Sequence, residues 1–514
     1  MSAEPPFEQF NVRGRSRPGW LWGEPTPRES FWLGLILAVL ALLPVFVAQY
    51  PQMVDYPAHL ARYHVMLNRD SNAFLQAYYG FQWRWSGNLG ADLLIIPLAQ
   101  LMSLEAAGKM IVYVTVLLNG LGVLAVEWSL RRRIGIGGLF GLLFVWSPAM
   151  LLGFLNFGLS LAAALFAFAL WVRLDGRKWR APLFMPIGLV VWLCHVSGWG
   201  TLGVMVFGYE WHKDKSWRAF VAPWPLMLPF AALIGLSIAG EKSGGELYSY
   251  GKVVGTYKWA IWRQAMRDTW RWLDYGTLIG IGVVLVGSLG LRRLDGRLAW
   301  AAIAMLALSL VLPRHIIGGD YVDARMIYTG LMVGCLALSW RAPRLVLLLA
   351  AALFLGRLGL TTHTWYTESQ RTERLLAMID PLPQGVKIAS LVETEIGVWP
   401  INPQEHIAGY AVVRKDALVN MHFALPLIHM LTINEGGKYF RDPYHRLLWK
   451  KGRKTDMTTY APARYVDWFW YVGQHELDAL PRKAEVTLRT DEALLARMPP
   501  PRPERGLAKP PGDS

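Results

Sequence analysis

Twelve apolar runs fill the first 360 residues of this 514-residue chain, at 31–48, 89–102, 108–130, 134–153, 155–172, 181–195, 197–210, 219–240, 274–291, 298–313, 325–340 and 344–360. A helix needs about 20 apolar residues to cross a hydrocarbon core of roughly 30 Å, so runs of this length and number place most of the chain in a membrane. Composition agrees. Apolar residues make up 54% of the chain and charged ones 17%, where soluble domains carry roughly 25% charged. Disordered, fibrous and soluble single-domain classes are excluded, leaving a polytopic α-helical membrane protein. Cys194 and Cys335 both lie inside apolar runs and give neither a disulfide framework nor a metal-ligand spacing.

The net charge of +15 is read as the basic excess that orients a membrane chain, with no nucleic-acid partner. Residues 1–30 carry Arg13, Arg15, Arg17 and Arg28 and are taken as a cytoplasmic segment. The run Phe31–Ala48 reads as an anchor: it is longer than a signal core, and a cut after Ala48 would put bulky Phe46 where a small residue is needed. If all twelve runs crossed, the connectors 131–133, 173–180 and 292–297 would lie outside despite their arginines. Leu89–Met102 is the exception, since it holds Asp92 and Pro97 and its fourteen residues rise only ~21 Å as a helix. With that segment re-entrant or interfacial, about 11 transmembrane helices remain in a 31–360 membrane domain. Inner connectors then hold 19 Lys or Arg in 59 residues, and the outer loops 51–88, 241–273 and 314–325 hold 11 in 83. This puts the C-terminus outside the cytoplasmic membrane.

From Thr361 no run is long enough to span, and residues 361–497 read as a small extracytoplasmic α/β domain. Glu368–Ile379 has a helical pattern; Val386–Val392, Ile407–Val413, Tyr465–Val472 and Ala484–Leu488 have strand patterns. The proline- and charge-rich tail 498–514 is expected to be disordered. No internal repeat is found, which disfavours inverted-repeat carriers.

The stretch most informative about chemistry is Val54-Asp55-Tyr56-Pro57-Ala58-His59-Leu60-Ala61-Arg62, early in the first large outer loop. Pro57 suits the first turn of a helix. That helix would set His59 and Arg62 on one face with Asp55 just before it. A carboxylate, an imidazole and a guanidinium together can orient a hydroxyl, remove its proton and hold an anionic leaving group. The helix N-terminus would favour ionised Asp55 and make it a modest base. The plainer alternative is an interfacial helix whose polar face meets water.

This motif, one span after a cytoplasmic N-terminus, with many later spans and a C-terminal extracytoplasmic domain, resembles the GT-C superfamily of integral-membrane glycosyltransferases, such as bacterial aminoarabinose transferases and protein mannosyltransferases. The resemblance implies a polyprenyl-phosphate-linked sugar as donor and an inverting transfer to a hydroxyl of an envelope glycan, lipid or protein. It implies Asp55 as base, with His59 and Arg62 assisting. The commonest family motif has two adjacent acids, whereas Tyr56 follows Asp55 here; this departure weighs against a divalent metal more than against base catalysis, and no cofactor is assigned.

Other outer-loop residues suit an anionic lipid-linked substrate. In 258–271, Arg263, Arg267 and Arg271 recur every fourth residue beside Trp259, Trp262 and Trp270, the pattern of an amphipathic interfacial helix. It reads equally as a phosphate platform and as a membrane-lipid anchor. The 314–325 loop packs Arg314, His315, Asp320, Asp323 and Arg325 together. Arg325, at a membrane boundary, is a candidate fork for phosphate; the alternative is an Asp323–Arg325 pair. Tyr56, Trp83, Arg84, Asn156 and His195 complete the candidate cavity, although interfacial tryptophan and helix-end polar residues need no substrate to explain them. A carrier or flippase for a lipid-linked or anionic substrate, or a glycan polymerase or ligase, are the rival functions. Ionisable residues gather in the loops rather than mid-span, which favours surface chemistry over passage.

Overall fold

The computed structural model describes residues 19–229, 248–316, 319–395, 397–424, 429–441, 446–450 and 455–499. Residues 1–18 of the basic leader, 230–247 at the end of the eighth run and the start of the next loop, Gly318, and 500–514 of the tail lie outside them.

Among the described residues, five helices are long and apolar enough to cross a membrane: Pro27–Val47, Leu104–Arg131, Leu155–Arg173, Arg271–Gly290 and Arg344–Ala377. Three more apolar helices are shorter, Gly90–Leu101, Arg180–Cys194 and Gly296–Val311. Local chemistry sets their ends. Thr26 and Glu29 form a reciprocal capping box before Pro27, and Arg132, at φ 56°, ends Leu104–Arg131 in the left-handed region. Gly90–Leu101 has 12 residues, a rise of ~18 Å, so it stops short of a hydrocarbon core.

The Leu104–Arg131 helix orients the molecule. At one end Glu105 pairs with Arg414 at 3.0 Å, and at the other Arg131 pairs with Asp295 at 3.2 Å. Arg133, Arg341 and Arg344 gather with Glu24 and Glu29 beside the Arg131 end. The basic connectors therefore lie at the opposite end of this helix from the C-terminal region.

Four readings of the sequence are corrected. The 134–153 run is not one helix but two, Ile136–Leu142 and Pro148–Leu151, because Pro148 cannot donate to the preceding turn. The amphipathic helix expected over 258–271 stops at Arg263, and the next begins at Arg271. Tertiary bonds replace the helical ones between them: the Asp268 amide donates to Asp274 at 2.9 Å and Arg357 donates to the Met266 carbonyl at 3.0 Å. Glu368–Ile379 is no separate helix, since Arg344–Ala377 runs unbroken for 34 residues. No proline or glycine interrupts 361–368, and the Thr361 and Thr362 hydroxyls return to carbonyls one turn back. Finally, Ile407–Val413 is not a strand; Gly409–Lys415 is a helix packed on Tyr56–Asn68. Gly409 lies so close to the Pro57 carbonyl that a β-carbon there would collide with it.

The C-terminal residues form a six-stranded sheet ordered Glu485–Arg489, Ala493–Arg497, Trp468–Val472, Lys387–Glu395, Leu418–Val419, with Leu447–Lys450 also paired to Lys387–Glu395. Around the long strand Lys387–Glu395 the pairing is parallel, so its end, with those of Trp468–Val472 and Leu447–Lys450, points one way. The 51–88 segment is interlocked with this region. Tyr79–Phe81 pairs with Leu431–Ile433, and His64 meets Asp416 at 2.7 Å.

Candidate active site

A cavity of about 1930 Å³ lies between the helix ends and the carboxyl ends of the parallel strands. Asp55 is on its wall, and its place is fixed by backbone. The Val54 and Asp55 amides donate to the Leu151 and Leu152 carbonyls at 3.1 and 3.0 Å, the turn made by breaking the 134–153 run. Gly153, at φ 95°, permits the close approach, since a β-carbon there would meet Asp55. Asp55 is the residue before the Tyr56–Asn68 helix, with no capping bond from its side chain. Burial pushes its carboxyl up to about 7, against the opposing pull of Arg446 and Arg325. The expectation that the helix N-terminus would keep it a modest base is thus corrected, because desolvation outweighs the dipole.

His59 and Arg62 share the cavity wall with Asp55, one helical turn apart. Burial, with Arg62 nearby, pushes His59 down to about 3, so it is neutral; its Nε2 meets the Gly153 carbonyl at 3.1 Å. Arg62 is held by buried Asp92 at 2.8 Å. Asn156 belongs to the same cluster: its amide donates to Asp92 at 3.1 Å and its Oδ1 accepts from the Ala91 amide at 2.5 Å. His195 lines the cavity and caps the next helix, its Nδ1 accepting from Ser197 at 2.9 Å.

The arginines divide into engaged and free. Arg314 is bidentate to Asp320, at 2.8 and 2.7 Å. Arg267 also lines the cavity; it donates to the Trp399, Val398 and Pro400 carbonyls and holds that loop. Asp323 pairs with Lys258 at 2.6 Å and accepts from Tyr257 at 3.0 Å, so the alternative of an Asp323–Arg325 pair is not what forms. Arg325 is left 7% exposed, over the Phe154 and Phe157 rings at 4.6 and 5.7 Å, with no ion pair among the described residues. It lines the cavity with Arg263 and His315.

Four expected residues do not line the cavity. Tyr56 turns away, its hydroxyl donating to the Glu105 carbonyl at 3.3 Å. Trp83 is exposed and packs edge-on with Phe81; neither it nor Arg84 reaches the wall. Asp323 is consumed by Lys258.

Sequence reasoning missed the wall supplied from 368 onward. Glu405 pairs with Arg446 at 3.2 Å, and burial raises its carboxyl. His406 Nε2 stands 3.5 Å from Asp55 Oδ1. Glu368, Arg371, Glu393, Trp399, His429 and His475 also line the cavity. The one local signal was the turn-rich Trp-Pro-Ile-Asn-Pro run at 399–403 ahead of Glu405-His406. Among the described residues no group of three or more His, Cys, Asp or Glu is arranged to hold a metal ion.

No protein-family model matches the chain, and neither does any curated protein. Solved structures do. The crystal structure of ArnT from Cupriavidus metallidurans, bound to undecaprenyl phosphate, superposes with a TM-score of 0.51 at 10% identity, over 91% of this chain and 98% of that one. The cryo-EM structure of the arabinofuranosyltransferase AftD from mycobacteria covers 93% of this chain and 40% of its own length, with a TM-score of 0.44 and 12% identity. Over nearly the whole of both chains, this chain therefore shares its overall fold with the first of these.

Proposed function

We propose that this chain is an integral-membrane glycosyltransferase that takes a sugar from a polyprenyl phosphate and places it on a hydroxyl of an envelope glycan, lipid or protein. The observation that carries this reading is the pairing, on one cavity, of a half-buried carboxyl whose ionisation lies at about 7 with a buried arginine that has no ion pair among the described residues. The first is a proton acceptor matched to neutral pH. The second is a fork for phosphate.

In this reading the acceptor hydroxyl gives its proton to Asp55 as its oxygen attacks the anomeric carbon. The bond from that carbon to the phosphate oxygen breaks, and polyprenyl phosphate leaves with the electron pair, its added negative charge met by Arg325 with Arg263 nearby. A single displacement inverts the anomeric centre. Asp55 then returns its proton to water. Arg62, paired with Asp92, shapes the wall, and burial, with Arg62 second, keeps His59 neutral. The undecaprenyl phosphate in the ArnT crystal supports the lipid class of the donor.

The basic connectors at the end of Leu104–Arg131 away from the cavity support a cytoplasmic N-terminus and an extracytoplasmic sheet. Chemistry would then occur at the outer face of the cytoplasmic membrane. The carrier reading gains no support from the buried charges, because Arg357 pairs with Asp274 at 2.6 Å and Glu127 pairs with Arg131 at 3.4 Å.

The test is transfer by purified protein in lipid nanodiscs, given a panel of radiolabelled polyprenyl-phosphate sugars and envelope extract. Label should pass to an extract component with wild type and not with Asp55→Asn. Movement of the labelled lipid between leaflets, with no transfer to any acceptor, would replace this reading with the carrier.

A further inference from the structure

We infer that His406 is a positioning residue for Asp55, brought to it by the C-terminal region, so that the reacting carboxyl and the imidazole that orients it come from opposite walls of the cavity. The inference rests on Asp55 being the base proposed above. His406 is fully buried, and its Nε2 lies 3.5 Å from Asp55 Oδ1. No hydrogen bond is formed at that distance, and catalytic contacts often close only when substrate tightens them. It leaves Oδ2 for the acceptor hydroxyl.

The imidazole is built into place. It ends the Pro403–His406 turn, and Asn402 caps that turn by accepting from the Gln404 amide at 3.0 Å. Arg446 clamps it from the sheet side, donating to the Glu405 carbonyl at 3.0 Å and to its carboxylate at 3.2 Å. The Gln404 side chain donates to Thr372 on the long helix at 3.1 Å, and the Phe423 ring lies 5.0 Å from the imidazole. Just beyond, Gly409 seats the following helix against Pro57, two residues from Asp55. An apolar side chain would fill this pocket without the desolvation of a polar ring; a buried imidazole is retained where its nitrogen has work.

The charged surroundings explain why the contact matters. Asp55 faces His59 from its own helix, Glu405, His406 and Arg446 from the C-terminal region, and Asp320 and Arg325 from the 314–325 segment. Burial first, and Arg446 second, hold His406 well below its ordinary value, so it is neutral. A neutral imidazole can fix the carboxyl by one hydrogen bond without cancelling its charge, whereas a cation there would reduce its basicity. A hydrogen bond closed across this gap would favour the ionised carboxyl and so lower the pH at which Asp55 titrates.

The experiment compares His406→Gln, whose amide reaches the position of Nε2, with His406→Asn, whose amide stops short of it; His406→Leu, of similar volume and nonpolar, is a second displaced variant. The first readout is thermal unfolding in nanodiscs from about pH 5 to about pH 9, which needs no substrate. A carboxyl raised by folding stabilises the protonated native state, so stability falls as pH rises from about 4 and the fall levels off at about 7, and Asp55→Asn should lack that fall. His406→Gln should keep the fall where wild type has it. His406→Asn and His406→Leu should move it by about half a pH unit or more. In the transfer assay, the same two variants should lower kcat about tenfold with donor KM unchanged, and Gln should restore most of it. A fall at the wild-type pH in the displaced variants, or one that persists in Asp55→Asn, would overturn the inference. Absence of transfer by wild type would instead count against the glycosyltransferase reading and leave the unfolding result standing.

Discussion

Asp55 stands where two influences on a carboxyl oppose each other. The start of the Tyr56–Asn68 helix favours its ionised form, but partial burial in the cavity wall opposes it, and the carboxyl is raised from 3.8 to about 7. As a base it acts when deprotonated. The acid limb of kcat/KM is therefore expected to rise with pH through about 7 rather than through the usual carboxylate range near 4, and a pH–rate profile checks it. Arg325 is the complementary group, a buried guanidinium over two phenylalanine rings. Lysine keeps the charge but loses the planar fork and fits the aromatic shelf less well. Arg325→Lys should raise the donor KM by about tenfold or more, as loss of a charge-assisted hydrogen bond of about 1.5–3 kcal/mol implies, measured in the same transfer assay.

Two elements hold the reacting groups together, and each offers a test away from the chemistry. Arg344–Ala377 has 34 residues, a rise of ~51 Å, enough to cross the bilayer and carry Thr372 to the Pro403–His406 turn. Arg357 ties it to the Arg271–Gly290 helix through Asp274 at 2.6 Å, and Trp399 donates to the same carboxylate at 2.6 Å. Arg357→Leu strands that buried carboxylate and should destabilise the protein by about 3–5 kcal/mol, seen as a large loss of thermal stability. The second element is the Gly409–Lys415 helix. At Gly409→Val the new side chain meets the Pro57 carbonyl and pushes the helix from its seat. A loss of about 1–3 kcal/mol in stability, with transfer falling further than stability alone explains, is the expected result. A variant with wild-type melting and activity would show that this seat does not govern Asp55.

At the scale of the molecule, what was legible in the sequence was contiguous or periodic. The apolar runs gave the membrane class, the shortness of Leu89–Met102 is matched by the 12-residue Gly90–Leu101 helix, and Asp55, His59 and Arg62 share a wall because one helical turn aligns them. What was not legible depended on distant partners. Nothing near Asp323 announces that Lys258 will take it and leave Arg325 free, and no local pattern joins His406 or Arg446 to Asp55. Ile407–Val413 has the composition of a strand, yet most of it lies in the Gly409–Lys415 helix docked on Pro57. The basic periodicity of 258–271 was real in sequence, but buried Asp268, Asp274 and Arg357 broke the helix that it would have followed.

The most direct measurement is a paired binding and transfer experiment with a labelled polyprenyl-phosphate sugar on nanodisc-held wild type, Asp55→Asn and Arg325→Ala. The account predicts that Asp55→Asn binds the lipid as wild type does and transfers at least about a hundredfold more slowly, while Arg325→Ala loses most of the binding. Wild-type binding by Arg325→Ala together with undiminished transfer by Asp55→Asn would contradict it.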